Sequence, residues 1–112
     1  MSLSPILAFK NNLLINGDMS QSSLTSLEQI LDNNAAYCVQ MYWTGTAPVG
    51  SISIQGSVFG SVFTEIVNFS VLGNSGTAML NAEKGNYVYI QAVYTKVSGT
   101  GSLNIDCSAK LI

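Results

Sequence analysis

The stretch Gly50-Ser51-Ile52-Ser53-Ile54-Gln55-Gly56-Ser57-Val58 decides the fold class. Ile52, Ile54 and Val58 alternate with Ser51, Ser53, Gln55 and Ser57, a period of two that puts apolar side chains on one face of a strand. The same period runs through residues 37–44, where Tyr37, Val39, Met41 and Trp43 share a face opposite Cys38, Gln40, Tyr42 and Thr44. It returns near the C-terminus, with Leu103, Ile105, Cys107, Ala109 and Leu111 set against Ser102, Asn104, Asp106, Ser108 and Lys110. Residues 87–95 are apolar on both faces, as in an interior strand or one covered by a neighbouring subunit. Weaker strands are expected at 13–19, 65–71 and 77–81. Asn16-Gly17, Gly73-Asn74-Ser75-Gly76, Gly85-Asn86 and Ser98-Gly99-Thr100-Gly101 punctuate the gaps.

Sliding the chain by 51 positions lays residues 37–57 over 88–108. Gln40 then meets Gln91, Thr44 meets Thr95, Gly50-Ser51 meets Gly101-Ser102, Ile54 meets Ile105 and Ser57 meets Ser108. Each copy reads as strand, Gly/Pro turn, strand, that is, a β-hairpin. Two long hairpins with short strands between them predict an all-β antiparallel sandwich or jelly roll. One segment breaks the pattern. Thr25-Ser26-Leu27-Glu28 has the form of a capping box, with Leu27, Ile30 and Leu31 at helical spacing and Asp32-Asn33-Asn34 as a stop. A short helix is therefore expected over 26–33. Residues 1–12 form an expected extended N-terminal arm that docks on a neighbouring chain, the alternative being that it folds back as an edge strand, with a single domain over 13–112.

Composition narrows the function. Of 112 residues 9% are charged and 47% hydrophobic, which excludes a disordered chain. The net charge is −2, and the cations Lys10, Lys84, Lys96 and Lys110 are scattered, so nucleic acid is not an expected partner. Pro5, Lys10, Asn11 and Asn12 interrupt the apolar start well short of a spanning length, so no membrane partner is expected either. Nor does that start have the basic-then-apolar form of a signal peptide. With no His there is no Ser–His or Cys–His nucleophile pair, and the six acids stand apart. Glu28 and Asp32 are the one close pair, and helix capping accounts for them. No enzyme activity, cofactor or metal is expected. Cys38 and Cys107 are expected as free thiols, a common state for small buried cysteines. Tyr42, Trp43, Tyr87, Tyr89 and Tyr94 offer an aromatic platform for sugars, against a reading as core and subunit interface.

Few charges remain to guard sheet edges, which isolated β-proteins protect with Lys and other ionic side chains. Surface covered in the working state is the expectation. Leu3, Pro5, Ile6, Leu7 and Phe9 are the expected contact with a partner, and Tyr87, Tyr89 and Gln91 the expected self-association residues.

Residues 36–57 carry an aromatic strand running through Tyr42-Trp43-Thr44-Gly45 into a Pro48-Val49-Gly50 turn and the alternating strand. Residues 85–105 carry the hairpin Tyr94-Thr95-Lys96-Val97-Ser98-Gly99-Thr100-Gly101. Over residues 34–110 this resembles small virion structural proteins of tailed bacteriophages. Residues 56–63 depart from that pattern, lacking its Asn-Asp-Gly turn. The resemblance implies a β-sandwich on the outer surface of a virion: a capsid decoration or staple (cement) protein bound to the major capsid protein and to itself as a dimer or trimer. The alternatives are a tail or fibre component and a carbohydrate-binding β-sandwich module.

Overall fold

The computed structural model describes residues 6–31, 36–83 and 88–111. They form β1 (Ile6–Asp18), β2 (Ser23–Thr25), β3 (Gln29–Ile30), β4 (Ala36–Ser57), β5 (Thr64–Leu72), β6 (Ser75–Glu83) and β7 (Tyr89–Leu111), joined in one seven-stranded antiparallel sheet. β4 and β7 dominate it. They pair with each other along nearly their whole length, from Ala36↔Lys110 to Ser57↔Tyr89. β1, β2 and β3 follow one another along the other side of β7, and β6 and β5 do the same along β4.

The two expected hairpins are thus two single strands, and the Gly/Pro segments bend the chain instead of reversing it. Fully extended, the 22 residues of β4 would span roughly 70 Å. The molecule is only 48 Å in its longest dimension, so the strand must fold over. The bend lies where the β4–β7 register shifts, between Thr46 and Gly50. There each strand carries one extra residue, and Ala47 and Gly99 take positive φ angles of 47° and 85°. An extra residue flips which side chains point inward. Tyr37, Val39, Met41 and Trp43 are buried before the bend of β4, and Ile52 and Ile54 after it. In β7 the buried set passes from Ile90, Ala92 and Tyr94 to Leu103, Ile105, Cys107 and Ala109. All of these belong to one core cluster, completed by Leu13, Met19 and Val71.

The fold line crosses every ribbon of the sheet. β1 gives way to β2 at residues 19–22, and β5 to β6 at Gly73-Asn74. Hydrogen bonds stitch these breaks together. Met19 N donates to Gly101 O at 2.9 Å and Lys96 N to Ser22 O at 3.0 Å. Across β4, Gly45 N donates to Asn74 O at 2.7 Å, and Ala47 N to Asn74 Oδ1 at 2.8 Å. Gly45 must be glycine here, because a Cβ would overlap the Thr100 carbonyl oxygen.

The 51-residue echo has a structural meaning. Shifted by that amount, the pair Trp43↔Leu103 becomes Tyr94↔Ile52, and Met41↔Ile105 becomes Ala92↔Ile54. Paired residues map onto paired residues, so β4 and β7 are related by a local pseudo-twofold axis through the bend.

Two further expectations meet a different outcome. The helix over 26–33 does not form: β2 and β3 take its place, Ser26–Glu28 lie between them, and residues 32–35 lie outside the described set. The edge of β7 offers Thr25 and Ser26 backbone partners, with Thr25 opposite Val93 and Ser26 N donating to Ala92 O at 2.8 Å. Ser26 Oγ accepts from Ala92 N at 2.8 Å, which ties the segment to β7 a second time. A two-turn helix is marginal by itself, so an open ladder outcompetes it. Leu27 is left 69% exposed. Over residues 6–12 the N-terminal segment is not a free arm but the edge strand of the alternative reading. These belong to β1, with Ile6 opposite Leu111 and Asn12 opposite Asp106, because the outer edge of β7 needs a partner there.

Candidate functional site

The residues singled out in the sequence separate into two places. Leu3, Pro5 and Tyr87 lie outside the described residues. Ile6, Leu7 and Phe9 contribute backbone to β1, opposite Leu111, Lys110 and Ala109 at the far end of β7. Tyr89 and Gln91 begin β7, on the outward side of its ladder with β4. Gln91 Nε2 donates to Gln55 Oε1 at 2.9 Å. Structure therefore does not bring the two sets together along the strand.

Among the described residues no three His, Cys, Asp or Glu side chains cluster to hold a metal ion. Both cysteines are free. Cys107 lies opposite Val39 and Cys38 opposite Ser108, so they occupy adjacent positions on opposite faces of the ladder. Burial pushes the Cys107 thiol up to about 12 and raises Cys38 as well, the reverse of what a nucleophilic thiol needs. Asp18 is held below the usual carboxylate range by the Ser20 hydroxyl and backbone N–H. Glu65 is lowered by bonds from Asn68 and Ser53. Both of these acids are satisfied by their own turn or strand neighbours.

The aromatic residues do not share a platform either. Trp43 and Tyr94 are core residues, and burial raises the Tyr94 phenol. Tyr42 projects from the opposite face of β4, between Asn104 and Thr77 on the neighbouring strands. Alternation along β4 forces Tyr42 and Trp43 apart.

The outward surfaces of the molecule differ in character. The outward face of the β1–β7–β4–β6 half is mostly amides and hydroxyls, with Tyr42 and Met79 exposed among them. Asn12 Nδ2 donates to Asp106 Oδ1 at 2.7 Å there, and Gln40, Asn81 and Ser108 stand nearby. The end where β4 turns into β5 is different. Val58, Phe59 and Val62 are exposed in the connecting loop, with Phe59 at 86%, and Ile66 follows in β5. A shallow hollow is lined by Val58, Phe59, Val62 and Ile66 together with Ser57 and Thr64. Val58, expected on the inward set of its strand, lies past the end of β4 and points to solvent. Sequence reasoning passed over this loop. Its signal was present in Val58-Phe59 and Val62-Phe63, two apolar pairs in a segment with no strand partner.

No family model and no curated protein matches this chain. Solved structures do. The SPBc2 prophage-derived protein YomS superposes with a TM-score of 0.58 at 11% identity, covering 96% of this chain and 99% of that one. A protein of the T13 infectious bursal disease virus particle gives 0.62 at 10% identity, with 96% of this chain on 31% of that one. A protein from Bacillus endospore appendages, described as disulfide-linked pili, gives 0.53 at 11% identity over 97% and 92% of the two chains. At such identities the likeness is one of fold: this chain shares an all-β antiparallel architecture with these proteins.

Proposed function

We propose that this chain is a non-enzymatic virion structural protein, a β-sandwich of jelly-roll type that decorates the outer surface of a capsid and staples its subunit seams. The observation that carries this is the unguarded sheet edge. β5 and β6 pair with β4 alone, and residues 66–82, which run along that edge, contain no charged side chain. An edge of this length on an isolated protein invites other strands unless charge or proline blunts it. An assembly that covers the edge removes the liability. The likeness in fold to a prophage-derived protein over nearly all of both chains supports the same reading.

In this reading the partners are the major capsid protein and further copies of this chain. Leu3, Pro5, Ile6, Leu7 and Phe9 carry the shell contact, Ile6, Leu7 and Phe9 from the end of the sheet where β1 begins. Tyr89 and its surroundings carry self-contact. Each contact is weak, and many copies on one particle multiply it. The carbohydrate-binding reading has less support, because Trp43 and Tyr94 are in the core and, among the described residues of the aromatic set, Tyr42 alone faces the polar field. The test is to purify the particles released by cells that carry this sequence and label them with an antibody to the chain. Label on heads, at a fixed stoichiometry to the capsid protein, is the expected result. Particles free of the chain would overturn the proposal, and label confined to tails would move the protein to the tail.

A further inference from the structure

β6 pairs with β4 without a register shift, and among the described residues no strand pairs with its other side. A single hydrogen bond reveals what that open side presents. Gly45 N donates to Asn74 O at 2.7 Å, so Gly45 and Asn74 are a hydrogen-bonded pair that continues the β4–β6 register by one residue. Such pairs recur at every second position of an antiparallel ladder. Gly76, Ala78, Leu80 and Ala82 therefore turn their backbone N–H and C=O groups toward β4. Ser75, Thr77, Met79 and Asn81 turn theirs the other way, along the open edge.

Side chains along β6 alternate in the same phase. Ala78, Leu80 and Ala82 are half-buried against the core. Ser75, Thr77, Met79 and Asn81 are exposed on the outward face, Met79 at 49%. Proline, bulges and charges are the devices that blunt an edge strand against another backbone. β6 has no proline and no bulge, and its one charged residue, Glu83, stands at its very end.

The residue order of β6 selects the occupant, because the strand is complementary to itself. Laid antiparallel on a second copy about Met79, it pairs Ser75 with Glu83, Gly76 with Ala82, Thr77 with Asn81, Ala78 with Leu80, and Met79 with its own counterpart. Inward positions meet inward ones, small or apolar throughout, and the outward backbone groups face one another as hydrogen-bonded pairs. The two Glu83 residues fall at opposite ends of that ladder, roughly 27 Å apart at the rise of a strand, so no like charges are opposed. Sliding the copies by two residues, the smallest slip that keeps the outward groups facing, forfeits an end pair. A charged partner strand would find no counter-charge between Ile66 and Ala82, whereas a second copy brings no charge to that stretch. We propose that two copies of this chain join antiparallel through β6, with a twofold axis at Met79 and one continuous sheet across the seam. The proposal rests on the covered edge of the function proposed above, gives that edge its occupant, and adds a self-contact to the one at Tyr89.

Cross-linking and sedimentation velocity of the full chain test it. Residues of a hydrogen-bonded antiparallel pair stand about 5.5 Å apart at Cα, within reach of a disulfide. In a Cys38→Ala background, which removes the partly exposed native thiol, Met79→Cys should give a disulfide-linked dimer under mild oxidation. Thr77→Cys, roughly 14 Å along the ladder from its own counterpart, should not. In sedimentation from micromolar to several hundred micromolar, wild type is expected to dimerise. Met79→Lys opposes two like charges on the axis and should weaken the dimer roughly tenfold. Met79→Pro removes a donor that faces only outward, so it should act likewise and leave the β4–β6 ladder whole. Leu72→Lys, an exposed site outside β6, should leave the dimer unchanged. Circular dichroism and Trp43 fluorescence of each variant report that the fold is kept. A wild type monomeric throughout, a dimer indifferent to both Met79→Lys and Met79→Pro, or a link that forms as readily from Thr77→Cys as from Met79→Cys would overturn the proposal. Labelled heads with no β6 seam, or a seam with no labelled heads, would separate failure of this inference from failure of the virion reading.

Discussion

Cys107 shows how much one residue's position in the alternation decides. It occupies an inward place on β7, is 1% exposed, and its thiol is held up to about 12 by burial first and by Cys38 second. Unfolding returns it to an ordinary thiol ionising near 9.0. The folded state therefore keeps a proton that the unfolded state loses, so its stability is full below about pH 9 and falls as pH rises toward 12. The slope from one such group is at most about 1.4 kcal/mol per pH unit. Urea unfolding followed by the fluorescence of Trp43, the single tryptophan, measures it. Between about pH 9 and 10, below the raised Tyr94 phenol, Cys107→Ala should lose less stability than wild type. Equal losses would mean that Cys107 ionises alike in both states. In the native protein at neutral pH, Cys38, partly exposed, should alkylate well before Cys107.

Elements were legible in the sequence wherever one face meets the core. Ile52 and Ile54, or Leu103 and Ile105, announce their strands because alternation is a local signal. The continuity of β4 through residues 45–49 was not legible, because Gly45, Pro48 and Gly50 serve a bulged bend as well as a hairpin turn. Only the pairing with β7 decides between them. The capping-box pattern at Thr25 misled for a related reason, since the partner that claims Ser26 lies 66 residues away in Ala92. Of the candidate surfaces, the apolar pairs around Phe59 were visible in the sequence, but their exposure depends on where β4 ends. β1 gives a prediction at this scale. It covers the C-terminal half of β7 from Ile6 to Asp18, and its side chains add bonds from Asn11 to Gln29 and from Asn12 to Asp106, each 2.7 Å. Deleting residues 1–12 should therefore destabilise the whole domain, by about 2 kcal/mol or more given two lost side-chain bonds and the ladder beneath them. A lowered urea midpoint checks this. A truncated chain as stable as wild type would show that those residues act as an arm after all.

At the scale of the whole molecule, β4 and β7 form a spine on which every other strand depends. β1, β2 and β3 pair only with β7 and β5 and β6 only with β4, apart from the spine's own ladder. The spine cannot form locally, since Ala36 pairs with Lys110 and Trp43 with Leu103, and even its closest described pair, Ser57 with Tyr89, spans more than thirty residues. Loop closure must be met before these contacts contribute, which makes such topologies fold in roughly milliseconds to seconds. Stopped-flow refolding by dilution from urea, read by Trp43, should fall in that range. The pseudo-twofold bend lies at the centre of the spine, so its geometry belongs to the transition state if the spine forms first. Gly45→Ala, whose Cβ overlaps the Thr100 carbonyl across the bend, should then slow folding more than it speeds unfolding. Deletion of residues 1–12 removes an outer ribbon and should mainly speed unfolding. Refolding faster than a millisecond, or a Gly45→Ala effect confined to the unfolding rate, would mean that the outer ribbons assemble first and the bend closes last.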